Sequence, residues 1–300
     1  MGPELVASSV NVSGASASDA LGAALSPDAP DLNAYRARSQ ALRSRYPHAN
    51  EILTLFEALL DAWSAPDIRR GALRERVGNR AALATYAAES VMPLVIDATV
   101  AHGPKRLAAA VSERFVKANL VDIAARWLVD EELLPLDRYL ARASLQPLLE
   151  TRAQQAGTTS PAENASVADE LFERATDDLH CPRCNGLPQL SYFEVSGEAL
   201  VTGRRRLLCA RCSHAWTGQR MTCAQCGEQT SAQLPVFGEK ETFPHIRVDA
   251  CESCKRYLLT IDLKKDQRAV PLVDELAALP LDLYAQERGY TKIVPNLMGN

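Results

Sequence analysis

Large apolar residues recur at three- and four-residue intervals through the first half of the chain, and at shorter, strand-like intervals in the second. Asp31 is placed to cap a helix running to about Tyr46, where Pro47 intervenes. From Ala49 to Trp63, residues Ile52, Leu53, Phe56, Leu59, Leu60 and Trp63 form one stripe on a second helix. Residues 80–101 are apolar nearly all round, which predicts a central helix kinked or split at Pro93. Leu107, Val111 and Phe115 make a further stripe that Leu120, Ile123 and Trp127 continue, and Leu134 to Leu149 supplies another helix. Six or more helices on short connections predict an all-α domain.

The flanking text differs. Residues 1 to about 30 are rich in Ala, Ser and Gly without a sustained period, the composition of a disordered leader. Gly157 to Ser166 is the best linker candidate, followed by a short helix from Val167 to about Asp178. Beyond it lies strand material: Leu190, Tyr192, Phe193 and Val195, then Ala199 to Val201, Leu207 and Leu208, and Trp216. Leu234, Val236, Phe237, Phe243, Ile246 and Val248 follow in a second set. Tyr257, Leu259, Ile261 and Leu263 alternate with Thr260 and Asp262, as in a half-buried strand. Leu272, Val273, Leu276, Leu279 and Leu283 give a last helical stripe, bent at Pro280 and closed by Gly289.

Chemistry concentrates among the strands. All eight cysteines form four Cys-x-x-Cys pairs: Cys181/Cys184, Cys209/Cys212, Cys223/Cys226 and Cys251/Cys254. The intervals between successive pairs are 24, 10 and 24 residues, and a shift of 42 maps the first four cysteines onto the last four. Two thiolates at i and i+3 can bind one ion side by side, and two such turns complete a tetrahedron. The equal inner intervals group Cys181, Cys184, Cys209 and Cys212 on one ion and the other four on a second. A disulfide framework is the weaker reading, because the first basic residue is Arg36 and no secretory signal is expected. A thioredoxin-like redox pair would need one such motif, not a repeat of four. Modules of about 32 residues rarely fold on apolar burial alone, so metal is expected to be part of the fold. His180 and His214 stand near the cysteines, but the full cysteine count makes a histidine ligand unnecessary. His245 reads as a hairpin residue, and His48 and His102 receive no role.

Composition narrows the function. Apolar residues make up 47% and charged residues 23%, as in ordinary soluble globular proteins. No stretch of 18 consecutive apolar residues appears, so no membrane span is expected. Net charge is −4, which gives no footprint for nucleic acid. Arg204, Arg205 and Arg206 are a local basic run, read as a solvated or partner-facing hairpin edge. No phosphate loop, nucleophile elbow or distinctive carboxylate pair occurs, and a closed shell of four thiolates leaves no position for catalytic water. The sequence is not that of an enzyme.

The four pairs, the phrase CPRCNGLP at 181–188, the block LLCARCSHAW at 207–216 and the tail PLVDELAALPLDLYAQERGYTKIVPN at 271–296 resemble the formate dehydrogenase accessory proteins, the FdhE family. The resemblance covers about residues 180–297; the helical part is similar only in kind. It implies a multidomain α+β chain, an all-α N-terminal helical domain followed by two rubredoxin-like (zinc-ribbon) four-cysteine modules and a C-terminal helix. The corresponding division is a leader over 1–30, helices over 31–178, modules over 179–218 and 219–264, and a helical tail over 265–300. It further implies a non-catalytic, cytoplasmic maturation factor that contacts the catalytic subunit of formate dehydrogenase. Its cofactors would be two metal ions, iron or zinc, held by the eight cysteines. A zinc-ribbon nucleic-acid or regulatory adaptor is the alternative, and a rubredoxin-like redox protein a distant third.

Overall fold

The computed structural model describes residues 31–65, 78–157, 171–195 and 203–299. The expected leader, most of the linker and the strand at Ala199–Val201 lie outside them. Helix α1 (Leu32–Arg45) starts at Asp31, whose side chain accepts the Asn33 N–H at 2.9 Å. Helix α2 (Asn50–Trp63) buries Leu53, Leu55, Phe56, Leu59, Leu60 and Trp63. The apolar run over 80–102 is split: α3 (Arg80–Tyr86) passes through a π-turn (Ala87–Val91) into α4 (Met92–His102). Pro93 has no N–H to continue an i→i−4 ladder, and the π-turn immediately before it takes up the mismatch. This run has the length and apolar content of a membrane span, with 44% of its most apolar window buried. It packs against α2, α5 (Lys105–Lys117) and α7 (Pro135–Gly157), and α6 (Leu120–Leu128) completes the described bundle. The stripe on α5 is less buried than its spacing predicts: Val111 is enclosed, while Phe115 is 44% exposed.

Helix α7 carries Pro147 within it. Proline cannot donate to the carbonyl four residues back, and that carbonyl, on Ala143, instead accepts the buried Trp63 indole N–H at 2.9 Å.

The expected helix from Val167 lies partly outside the described residues; its described part, residues 171–178, forms turns and bends instead, and the chain then enters one seven-stranded sheet. Strands β1 (Pro188–Phe193), β2 (Arg205–Cys209) and β3 (Ala215–Thr217) form an antiparallel meander. Strands β4 (Val236–Phe237), β5 (Ile246–Ala250) and β6 (Arg256–Asp262) form a second. The two are joined edge to edge by parallel pairing of β1 with β6, from Leu190↔Leu259 to Phe193↔Asp262. The repeat seen in the cysteines is thus a repeat of structure. Strand β6 was expected to be half-buried; it is central, and Leu258 to Ile261 are buried on both faces.

Helices α8 (Pro271–Ala277) and α9 (Leu279–Glu287) then cover one sheet face, with the break at Ala278 and Pro280 in the first turn of α9. Leu283 falls off the buried stripe at 49% exposure. A short β7 (Thr291–Lys292) adds in parallel to β6. The charged residues of this tail point inward. Asp274 receives Arg38 of α1 at 2.5 and 2.8 Å and His245 at 2.8 Å. Lys292 pairs with Glu275 at 2.7 Å and Asp282 at 3.0 Å, and the Tyr257 hydroxyl donates to Asp282 at 2.8 Å. Gln189 and Arg142 continue the network from Glu275 to α7. Helices and sheet share one apolar core, with Tyr46 stacked on Phe243 at 4.8 Å.

Candidate metal centres

The four Cys-x-x-Cys turns are built alike. The first cysteine N–H donates to the carbonyl five residues on, as in Cys181 to Gly186, Cys209 to His214, Cys223 to Glu228 and Cys251 to Arg256. Its own carbonyl accepts the N–H four residues on, from Asn185, Ser213, Gly227 and Lys255 respectively. Those four residues all have positive φ, at 55°, 54°, 75° and 56°. Only one of them is glycine, so three side chains sit in the left-handed region, which turns chosen for function tolerate. Gly186 has another purpose. A Cβ there would meet Cys209 Sγ at 3.0 Å and Cys184 Sγ at 3.3 Å.

The turns bring the sulfurs together in two groups: Cys181, Cys184, Cys209 and Cys212, and Cys223, Cys226, Cys251 and Cys254. In the first, Cys184 lies 3.4 Å from both Cys209 and Cys212, and Cys181 lies 3.7 Å from Cys212. In the second, the Cys223–Cys254 and Cys226–Cys251 separations are both 3.7 Å. Four thiolates about 2.3 Å from a tetrahedral ion stand about 3.8 Å apart, so both groups have the spacing and donor set to hold one ion. Backbone amides also point at sulfur, from Arg211 to Cys209 at 3.3 Å and from Gln225 to Cys223 at 3.4 Å. Contact with neighbouring sulfurs, Cys181 first, pushes the Cys184 and Cys212 thiols well above the usual range. Burial pushes Cys223 up to about 11. Four sulfurs this close cannot all ionise alone, and a cation among them removes the conflict.

The groups differ in surroundings. All four sulfur-bearing residues of the first are buried, whereas Cys226 is exposed and Cys254 half-buried in the second. Arg211 braces the first: it donates to the Cys184 carbonyl at 2.8 Å, pairs with Asp130 and lies over Phe172 and Trp127. The second is tied by Glu228, which accepts Ser253 Oγ at 2.7 Å across the two turns. Neither His180 nor His214 joins a group, and His180 is held by Asp177 at 2.8 Å. His245 lies at the end of the β4–β5 hairpin connection and is buried against Asp274. The basic run departs from its expected place: Arg205 is buried and Arg206 half-buried against Thr217 and the Ala215 carbonyl.

Residues 221–298 match the family described as FdhE, C-terminal domain, a span that contains the second cysteine group and the inward-facing tail. The FdhE homolog of Aquifex aeolicus is 35% identical over 120 residues, 40% of this chain and 41% of its own length. Over these stretches the chain is similar to FdhE proteins. The FdhE homolog of Pseudomonas aeruginosa is 33% identical over 121 residues, 39% of this chain and 38% of that protein. The chain thus spans about two fifths of the length of these curated FdhE relatives. The crystal structure of the FdhE protein from Pseudomonas aeruginosa matches with a TM-score of 0.59 at 20% identity, covering 91% of this chain and 96% of that one. That likeness is one of fold, and it extends the FdhE architecture over the helices as well as the sheet.

Proposed function

We propose that this chain is a cytoplasmic accessory protein of formate dehydrogenase that binds the enzyme's catalytic subunit during maturation and performs no catalytic step. In this reading all eight cysteines are ligands, each group of four holding one ion, iron or zinc. Each meander with its turns is one metal module, with boundaries near residues 179, 218 and 264. The observation that carries the reading is the FdhE C-terminal domain match over 221–298, which contains the second cysteine group. A closed shell of four thiolates holds no catalytic water, which suits a binding role. When iron is bound such a site carries one electron; when zinc is bound it supplies folding energy alone. The exposed Cys226 favours electron passage at the second group as a second reading.

Cys209→Ser and Cys251→Ser test both. Serine is a poor ligand at neutral pH, so each variant should lose the ion of its own group and the local turn shape. Under the docking reading, co-purification of the catalytic subunit and formate dehydrogenase activity fall together. Under the electron-passage reading, co-purification survives, activity is lost, and zinc-loaded protein is inactive. Variants lacking both ions that still fully support the enzyme overturn both readings. Anaerobic capture from native cytoplasm, with metal analysis of the same sample, identifies the ion.

A further inference from the structure

The sheet face turned away from α8 and α9 is polar where it crosses the seam between the meanders. Arg205 Nε donates to Ser191 Oγ at 3.2 Å, Ser191 Oγ lies 2.7 Å from Thr260 Oγ1, and Thr260 Oγ1 donates to Asp249 Oδ2 at 2.6 Å. This row spans β2, β1, β6 and β5. Its two ends, Arg205 and Asp249, open into a cavity of about 290 Å³. Structural sheet interiors are close-packed and apolar, and a buried guanidinium such as Arg205 (5% exposed) is costly there unless paired. Arg205 is fixed by the Gln219 and Thr222 carbonyls at 3.1 and 2.8 Å, which holds the loop before Cys223 over the cavity.

The rim is basic and aromatic. Arg220 and Arg247 lie 5.1 and 5.0 Å from the centre of the Phe193 ring, and Arg256 lines the same cavity. Four arginines line it against two aspartates, Asp249 and Asp262. Asp249 meets Arg247 at 2.8 Å and Arg205 at 3.6 Å, so one carboxylate serves two guanidiniums. The apolar wall includes Leu258 and Val236, the latter 55% exposed on the two-residue edge strand β4.

We propose that this cavity recognises an acidic side chain on an extended peptide segment of the client, paired to Arg220 and Arg247, with the flanking apolar residues against Phe193, Leu258 and Val236. The inference rests on the accessory reading and names the chemistry that would hold the client. Cys223 is in the cavity wall, and four thiolates around a divalent ion carry a net −2 there. Recognition therefore depends on short, two-point guanidinium–carboxylate pairing and not on a long-range field.

A randomised heptapeptide library, selected against the full metal-loaded chain, tests the proposal. Peptides carrying Asp or Glu beside Leu or Phe should be enriched. A selected peptide should bind about tenfold or more weakly to Arg247→Gln, and weaker still to the Arg220→Gln, Arg247→Gln pair. Arg220→Glu should shift selection towards Lys and Arg. Variants are compared at wild-type dichroism and metal content; Arg220, an exposed side chain, carries the test if Arg247 variants fail to fold. Absence of acidic enrichment, or acidic binding unchanged in both variants, overturns the proposal. Client capture separates it from the accessory reading. Equal capture of the catalytic subunit by wild type and the double variant sinks the cavity proposal alone. Acidic peptide binding without any client capture sinks the accessory reading and leaves the cavity standing.

Discussion

Asp274→Asn should destabilise the helices and the metal-bearing sheet together. Asp274 is wholly buried, and its two oxygens face four donors: Arg38 Nε and Nη2 at 2.8 and 2.5 Å, His245 Nε2 at 2.8 Å and the Val270 amide at 2.7 Å. Asparagine keeps one acceptor oxygen, loses the charge, and turns an NH2 towards groups that themselves donate. Breaking a buried ion pair by removing one partner costs about 3–5 kcal/mol. Arg38 retains Asp266 at 2.9 Å, so the lower end applies, about 3 kcal/mol. Against a whole-protein stability of about 5–15 kcal/mol this is a large share. At about 2 °C per kcal/mol for a chain of this size, the midpoint should fall by about 6 °C. Urea melts followed by far-ultraviolet dichroism and by metal release measure it, and both signals should move by the same amount. A loss under about 1 kcal/mol, or a shift in one signal without the other, refutes the reasoning.

Three other outcomes follow from the geometry. A chelator should strip the second cysteine group, with Cys226 exposed, faster than the fully enclosed first group; two equal release rates would contradict this. Gly186→Ala should halve the metal content by displacing Cys184 and Cys209, leaving the second group loaded, as metal analysis of the purified variant can check. Trp63→Phe should cost about 1–3 kcal/mol in denaturant melts, because the Ala143 carbonyl freed by Pro147 is left without its buried donor.

The helices and the cysteine repeat were legible because each is written in local spacing. Asp31, the stripe on α2 and the disturbance at Pro93 need only neighbours within a turn or two. The cysteines declare themselves through the 42-residue shift. What the spacing hides is anything decided by distant partners. The alternation around Thr260 reads as a solvent-facing side, yet Ser191 and Asp249 enclose that hydroxyl once β1 and β6 pair. Arg205 sits in a run of three arginines and reads as surface; its burial depends on carbonyls 14 and 17 residues away. Asp274, Glu275, Asp282 and Lys292 look like the polar side of an amphipathic tail. Charges are so rarely buried unless paired that a linear pattern assigns them to water. The left-handed residues after each cysteine pair carried almost no signal, since Asn185, Ser213 and Lys255 stand where glycine would have marked the turn.

The distance along the chain between Arg38 and Asp274 sets the order in which a growing polypeptide can become itself. These two are 236 residues apart, so α1 emerges from the ribosome long before its carboxylate exists. The first meander is in the same position: β1 waits for β6, roughly seventy residues later, to cover its open edge. Local helices and the cysteine turns can form early, whereas contacts of such long range close late and slowly. Residues 256–292 therefore act as a clasp. Until they arrive, a buried-type arginine and an unpaired strand edge stay open to solvent, and any metal already in the first turns sits in an unfinished protein.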